Sequence, residues 1–114
     1  MAANPVVSLP PLKLATTTTV AETTIICTGK ITSDTSDILS DEVRRLIPQS
    51  RHIIIDLNNV SYVDSSGLGA LVGMYVSARR AHVGMKLVKL NDRIAELLRL
   101  TKLATVFEGY GEYL

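Results

Sequence analysis

Two periods of apolar residues alternate along this chain, and the switches between them outline its elements. Met1–Pro11 holds Pro5, Pro10 and Pro11, which remove backbone donors and fix φ, so residues 1–11 are expected to form a flexible lead-in. Leu12–Val20 contains four consecutive threonines and ends in valine, a composition for a half-exposed strand. Ala21-Glu22 predicts a short turn and Thr23–Lys30 a second strand, with Gly29 marking its end. The two strands predict a hairpin, although the Asn-Gly or Asp-Gly turn signal is missing.

The period then changes. Thr32-Ser33-Asp34-Thr35-Ser36-Asp37 carries side-chain oxygens suited to turns and helix N-caps. Leu39, Val43, Leu46 and Ile47 follow at helical spacing, and Pro48 stops that helix. Arg51–Leu57 contains Ile53-Ile54-Ile55, an unbroken β-branched run that predicts a central strand covered on both faces. A second helix is expected from near Ser66, with Leu68, Leu71, Val72, Tyr75 and Val76 as its core-facing stripe and Met74 and Ser77 off it. It should end around His82, with Gly84 as terminator. Met85–Leu90 reads as a strand. Asn91-Asp92 should cap a third helix with Ile94, Leu97 and Leu98 inward, and Arg99 and Lys102 suit its negative end. Thr105–Phe107 predicts a short final strand. The order β-β-α-β-α-β-α-β predicts one α/β domain: a mixed, mostly parallel sheet of about five strands with helices packed on it and right-handed crossovers.

Composition narrows the function. With 114 residues, 46% hydrophobic and 20% charged, the chain fits one ordinary domain. Twelve basic and eleven acidic residues leave a net charge of +1, and the one basic cluster is Arg79-Arg80 with His82. That pair is expected to be a solvated helix end, and nucleic-acid binding is excluded for want of a basic footprint. No apolar run approaches the roughly 20 residues of a membrane span. No signal peptide is visible, and the expected location is the cytoplasm. Cys27 lies in an apolar run and is expected to be a small core residue, the usual place for a lone thiol in a reducing compartment. His52 and His82 are isolated in the sequence, so neither a metal nor another cofactor is expected.

The segment that carries chemistry runs from Asp56 to Leu71. A strand leads through a polar loop that delivers Asp64, Ser65 and Ser66 to the start of a helix, where free N–H groups and the helix dipole tolerate a phosphate. Gly67, Gly69 and Gly73 fall within that one helix, each about 1 kcal/mol worse than alanine there, so close packing or an interface must compensate. Serine before a helix is also a common N-cap, and that is the role expected of Ser66.

Val63-Asp64-Ser65-Ser66-Gly67-Leu68-Gly69 resembles the signature of the STAS domain of bacterial anti-sigma factor antagonists. Gly29-Lys30-Ile31 is similar to that family's end of an early strand, and His52–Leu57 to its central strand. The element order matches from about Leu12 to Phe107. The resemblance implies a single STAS domain over residues 12–114 that works by partner switching. The unphosphorylated form binds an anti-sigma factor that is also a serine kinase, and so releases the sigma factor. Phosphorylation of Ser65 abolishes binding, and a serine phosphatase resets the cycle. It also implies a partner surface of Asp64, Ser65, Ser66, Gly67, Leu68, Gly69, Gly73, Thr32 and Asp34, with no catalytic residue. Thr32 stands where the family often has an acidic residue, and Asp34 follows two positions later.

Three other readings differ in what they require. A serine hydrolase needs a base beside Ser65, and the sequence has two histidines and no Gly-x-Ser-x-Gly elbow. A nucleotide site at the helix start would need a glycine-rich phosphate loop with its lysine. A non-phosphorylated STAS adaptor of a transport or signalling complex would not need the Asp64-Ser65-Ser66 triplet.

Overall fold

The β-branched run Ile53-Ile54-Ile55 sits inside a long strand of a mixed sheet. The computed structural model describes residues 11–103. Among them are β1 (Leu12–Thr18), β2 (Thr23–Ile31), α1 (Ser36–Leu46), β3 (His52–Val63), α2 (Ser65–Arg80), β4 (Gly84–Val88) and α3 (Asp92–Leu100). A 3-10 turn, Ile47–Gln49, follows α1 and carries Pro48, which lacks the N–H that would continue the helix. The sheet order is β1-β2-β3-β4, with β1 antiparallel to β2 and the other two pairs parallel. The expected final strand at Thr105–Phe107, and all but the last residue of the expected lead-in, lie outside the described residues.

The hairpin closes without glycine. β1 stops two residues before Val20, and Thr19 makes the turn instead. Its N–H donates to the Glu22 carbonyl at 2.8 Å, and its hydroxyl accepts from the Glu22 N–H at 3.0 Å. Gly29 does not end β2. It sits inside the strand at φ +122°, next to a register shift, and the strand runs on to Ile31.

Register and burial separate the two faces of the sheet. Ile25, Cys27, Ile53, Ile55 and Leu87 are fully buried and pack with Leu39 and Val43 of α1, Leu68 and Leu71 of α2, and Ile94 and Leu98 of α3 in one core. The opposite face is only partly covered. Ile54 is half-buried there, which corrects the expectation that the isoleucine run is covered on both sides. Beside it Asp56 is buried, as burial of a carboxylate requires, with partners: the Asn58 N–H at 2.9 Å and the Lys89 ammonium at 3.5 Å.

Helix faces and ends differ from the sequence expectation in detail. The buried stripe of α2 is Gly67, Leu68, Leu71, Met74, Tyr75 and Ala78. Met74 is therefore core and Val76 exposed, because α2 turns its face toward both α1 and the sheet rather than along one groove. The helix is terminated by His82 in the left-handed region at φ 61°, not by Gly84, which begins β4. The His82 and Val83 amides return to the carbonyls of Arg79 and Ala78, the paired bonds of a Schellman ending. Asn91 caps α3 as expected, its side-chain oxygen accepting from the Ile94 N–H at 2.8 Å. Ile94 and Leu98 are buried and Leu97 is half-buried.

Cys27 has no exposed surface, and burial, reinforced by the negative charge of Asp56, pushes its thiol up to about 12. A thiol with so little thiolate is unreactive. Iodoacetamide should leave the folded protein unmodified near neutral pH and add one group per chain in denaturant, as read by intact mass. Rapid labelling of the folded chain would contradict this burial.

Candidate functional site

The end of β2 and the start of α2 meet at one backbone atom. Ile31 and Val63 are register partners at the ends of parallel strands, so the chain leaves both strands side by side. The Ile31 carbonyl accepts the Asp64 N–H at 3.2 Å. A β-carbon on Gly67 would lie 2.0 Å from that same oxygen. Only glycine lets the first turn of α2 come this close to β2, so close packing is what compensates for glycine at this helical position.

Asp64 is the N-cap. Its backbone is extended, with φ −94° and ψ −178°, and its carboxylate accepts the Gly67 N–H at 2.7 Å. This corrects the expectation that Ser66 caps the helix. Asp64 is better placed because it occupies the last extended residue, whereas Ser65 and Ser66 already have helical backbones. Ser65 is thus the first residue of α2 and Ser66 the second. Both are exposed, and neither hydroxyl hydrogen-bonds to another described residue.

On the other side of Ile31, Thr32 and Asp34 belong to a loop held by a buried threonine. The Thr35 hydroxyl donates to the Lys30 carbonyl at 2.7 Å and accepts the Thr32 N–H at 2.9 Å. Thr35 is the N-cap of α1 by position but makes no side-chain cap bond, because its oxygen is used to staple this loop. Thr32 is half-exposed and accepts the Asp34 N–H at 3.3 Å, and Asp34 is exposed. The structure therefore brings Thr32 and Asp34 to the same end of the sheet as Asp64, Ser65 and Ser66.

It does not bring every expected residue to the surface. Gly67 and Leu68 are buried and shape the site from beneath. Gly69 and Gly73 are exposed, and a β-carbon on either would meet nothing within 4 Å. Spaced four apart with Ser65, they share one helix face. Val72, half-buried, and Val76, exposed, border that strip. His52 and His82, read as unrelated, line one cavity with Arg79 near the other end of α2. That end is about 20 Å from Ser65 at 1.5 Å per helical residue, so neither imidazole can serve Ser65 as a base.

The STAS domain family profile matches residues 13–112. The chain belongs to the STAS domain family. This STAS domain is 30% identical over 80 residues to the anti-sigma-B factor antagonist of Bacillus subtilis, a match covering 70% of this chain and 73% of the relative. It is 43% identical over 54 residues to the anti-sigma-B factor antagonist of Listeria monocytogenes. That second match spans only about half of each protein, 47% of this chain and 47% of the relative. Among solved structures, an anti-sigma factor antagonist from Mycobacterium paratuberculosis superposes with a TM-score of 0.78 at 22% identity, covering 91% of this chain and 90% of that one. The phosphorylated form of the Bacillus cell fate determinant SpoIIAA superposes with a TM-score of 0.65 at 17% identity, covering 84% and 87%. At these identities the structural matches establish the STAS fold.

The two kinds of glycine in α2 should separate on mutation. Gly67→Ala forces a β-carbon against backbone and should destabilise the domain by about 2–3 kcal/mol. Gly69→Ala, in open space, should stabilise it by up to about 1 kcal/mol. Urea denaturation midpoints at unchanged m-value check both, and equal effects would sink the distinction.

Proposed function

We propose that this protein is an anti-sigma factor antagonist of a partner-switching pathway, controlled by phosphorylation of Ser65. The unphosphorylated form binds an anti-sigma factor with serine kinase activity and thereby releases the sigma factor. A serine phosphatase reverses the modification. The protein acts by binding, not catalysis, and works in the cytoplasm; no described helix is long and apolar enough to cross a membrane.

One observation carries this reading. Ser65 is exposed at the first position of a helix whose capping is already done by Asp64, so its hydroxyl is left over from the structural work of the site. The relatives named as anti-sigma-B factor antagonists support the same role.

The electrostatics suit a switch that acts at a surface. A phosphate adds about −1.5 to −2 charges and three acceptor oxygens near neutral pH. On Ser65 it stands at the positive end of a 16-residue helix, which offsets the repulsion from Asp64 beside it. The fold need not rearrange. A partner seated along Ser65, Gly69 and Gly73, where two positions lack side chains, meets a bulky dianion in place of a hydroxyl. Thr32 and Asp34 flank that surface from the neighbouring loop, while Gly67 and Leu68 set its height from below.

Incubation with ATP and the candidate anti-sigma kinases of the same genome, followed by intact and peptide mass spectrometry, tests this reading. A single phosphate on Ser65 is expected, absent from Ser65→Ala and retained in Ser66→Ala. It should weaken binding to the anti-sigma factor at least tenfold, about 1.4 kcal/mol. No phosphorylation, with stable binding to some other protein, would favour a constitutive STAS adaptor instead.

A further inference from the structure

β1 is an edge of the sheet, and its open side carries little of the usual protection. It pairs with β2 at seven successive positions without a register shift, whereas the pairing of β2 with β3 is interrupted twice. Soluble proteins blunt such edges with bulges, prolines or charges. β1 has no proline and one charge, Lys13, and it ends in the β-branched run Thr16-Thr17-Thr18. Among the described residues no strand lies beyond it.

The ladder shows which backbone groups are open. The Lys30 N–H donates to the Pro11 carbonyl at 2.9 Å and the Thr19 N–H to the Glu22 carbonyl at 2.8 Å, just outside the two ends of the paired stretch. Bonded and non-bonded pairs alternate in an antiparallel ladder. Lys13, Ala15 and Thr17 therefore bond to β2, and Leu12, Leu14, Thr16 and Thr18 turn their N–H and C=O groups to the open side. On the helix side of the sheet, Leu12 is in the core, Leu14 packs against it, and the Thr16 hydroxyl donates to the Glu42 carboxylate of α1 at 2.6 Å. Lys13, Ala15 and Thr17 are exposed on the other face.

We infer that two copies of this chain pair through β1, antiparallel about a two-fold axis at Ala15. The edge is its own complement in that register. Leu12 meets the second copy's Thr18 and Leu14 meets its Thr16, so the open N–H and C=O groups of all four residues gain partners. Non-bonded pairs bring side chains closest, with α-carbons about 4.5 Å apart. The pair on the axis is alanine on alanine, the smallest residue of the strand, and Lys13 faces the second copy's Thr17 rather than a like charge. α1 flanks the joint. Its Glu42 is ion-paired with Arg45, so the flank carries little net charge, and Ile38, one turn before Glu42 on the same helix face, is 44% exposed. A second copy of α1 across the axis gives that side chain a partner. The junction that carries Ser65 belongs to β3 and α2, two strands in from this edge, so the pairing stands apart from the phosphorylation of Ser65 and its test.

Sedimentation equilibrium of the full chain from about 1 μM to about 1 mM tests the pairing. The mass should rise from that of one chain toward that of two. Ala15→Lys sets two ammonium groups face to face on the axis, and Ala15→Glu two carboxylates. Each should weaken the fitted dimer Kd about fivefold or more. An equimolar mixture of the two variants should dimerise again, because each charge then faces its opposite. Position 15 is exposed, so the urea midpoints of both variants should stay near that of the parent. Should either fail to fold, Ala15→Cys decides the matter: it places two thiols at the axis and, with Cys27 buried, should give a disulfide-linked dimer on oxidation by air. One mass at every concentration, a dimer indifferent to both charges, or charged variants that stay monomeric when mixed would overturn the proposal.

Discussion

The carbonyl oxygen of Ile31 is the point on which the half of this domain that carries the candidate site turns. It ends β2, receives the first N–H after β3, and touches the one residue of α2 that has no room for a side chain. A buried carbonyl needs a donor, and the Asp64 N–H supplies it. The same contact places the Asp64 carboxylate over the open amides of α2 and turns the next two serines outward. The exposure of Ser65 therefore follows from a strand-end hydrogen bond and a glycine beneath it. It is not a property of the loop alone.

α2 links two chemically opposite ends. Its N-terminus presents unsatisfied N–H groups, a carboxylate cap and hydroxyls. Its C-terminus presents Arg79 and Arg80, whose charges complement the negative end of the dipole. In between, Leu68, Leu71, Met74, Tyr75 and Ala78 anchor the helix in a core shared with both other helices and the inner face of the sheet. A helix fixed so firmly along its length can carry a modification at one end without moving the other. That suits the switch proposed for Ser65.

Much of the fold was legible because apolar period and turn chemistry are local. The central strand, the helix stopped by Pro48 and the Asn91 cap all follow from side chains within a few residues of one another. The hairpin turn was located nearly correctly, but its mechanism was hidden: a threonine took the role that glycine usually fills, using a hydroxyl bond across four residues. Met74 and Val76 exchanged their expected roles because α2 packs on α1 as well as the sheet, and a single-stripe pattern cannot express two contacts. The Ser66 cap failed for a similar reason. Where the strand stops, and hence which residue is last to be extended, depends on the pairing of Val63 with Ile31.

The sequence by itself determined the fold class, the one-domain organisation, the core role of Cys27 and the strand-to-helix junction that carries Asp64, Ser65 and Ser66. These rest on residue type and short spacing. Only the tertiary structure decided that Gly67 serves packing while Gly69 and Gly73 lie open, since a glycine's reason is the atom that faces it. Only the tertiary structure gathered His52, Arg79 and His82 around one cavity. The parallel crossovers return the starts of β3 and β4 to the same edge, and no reading of spacing along the chain can show that residues 30 apart will share it.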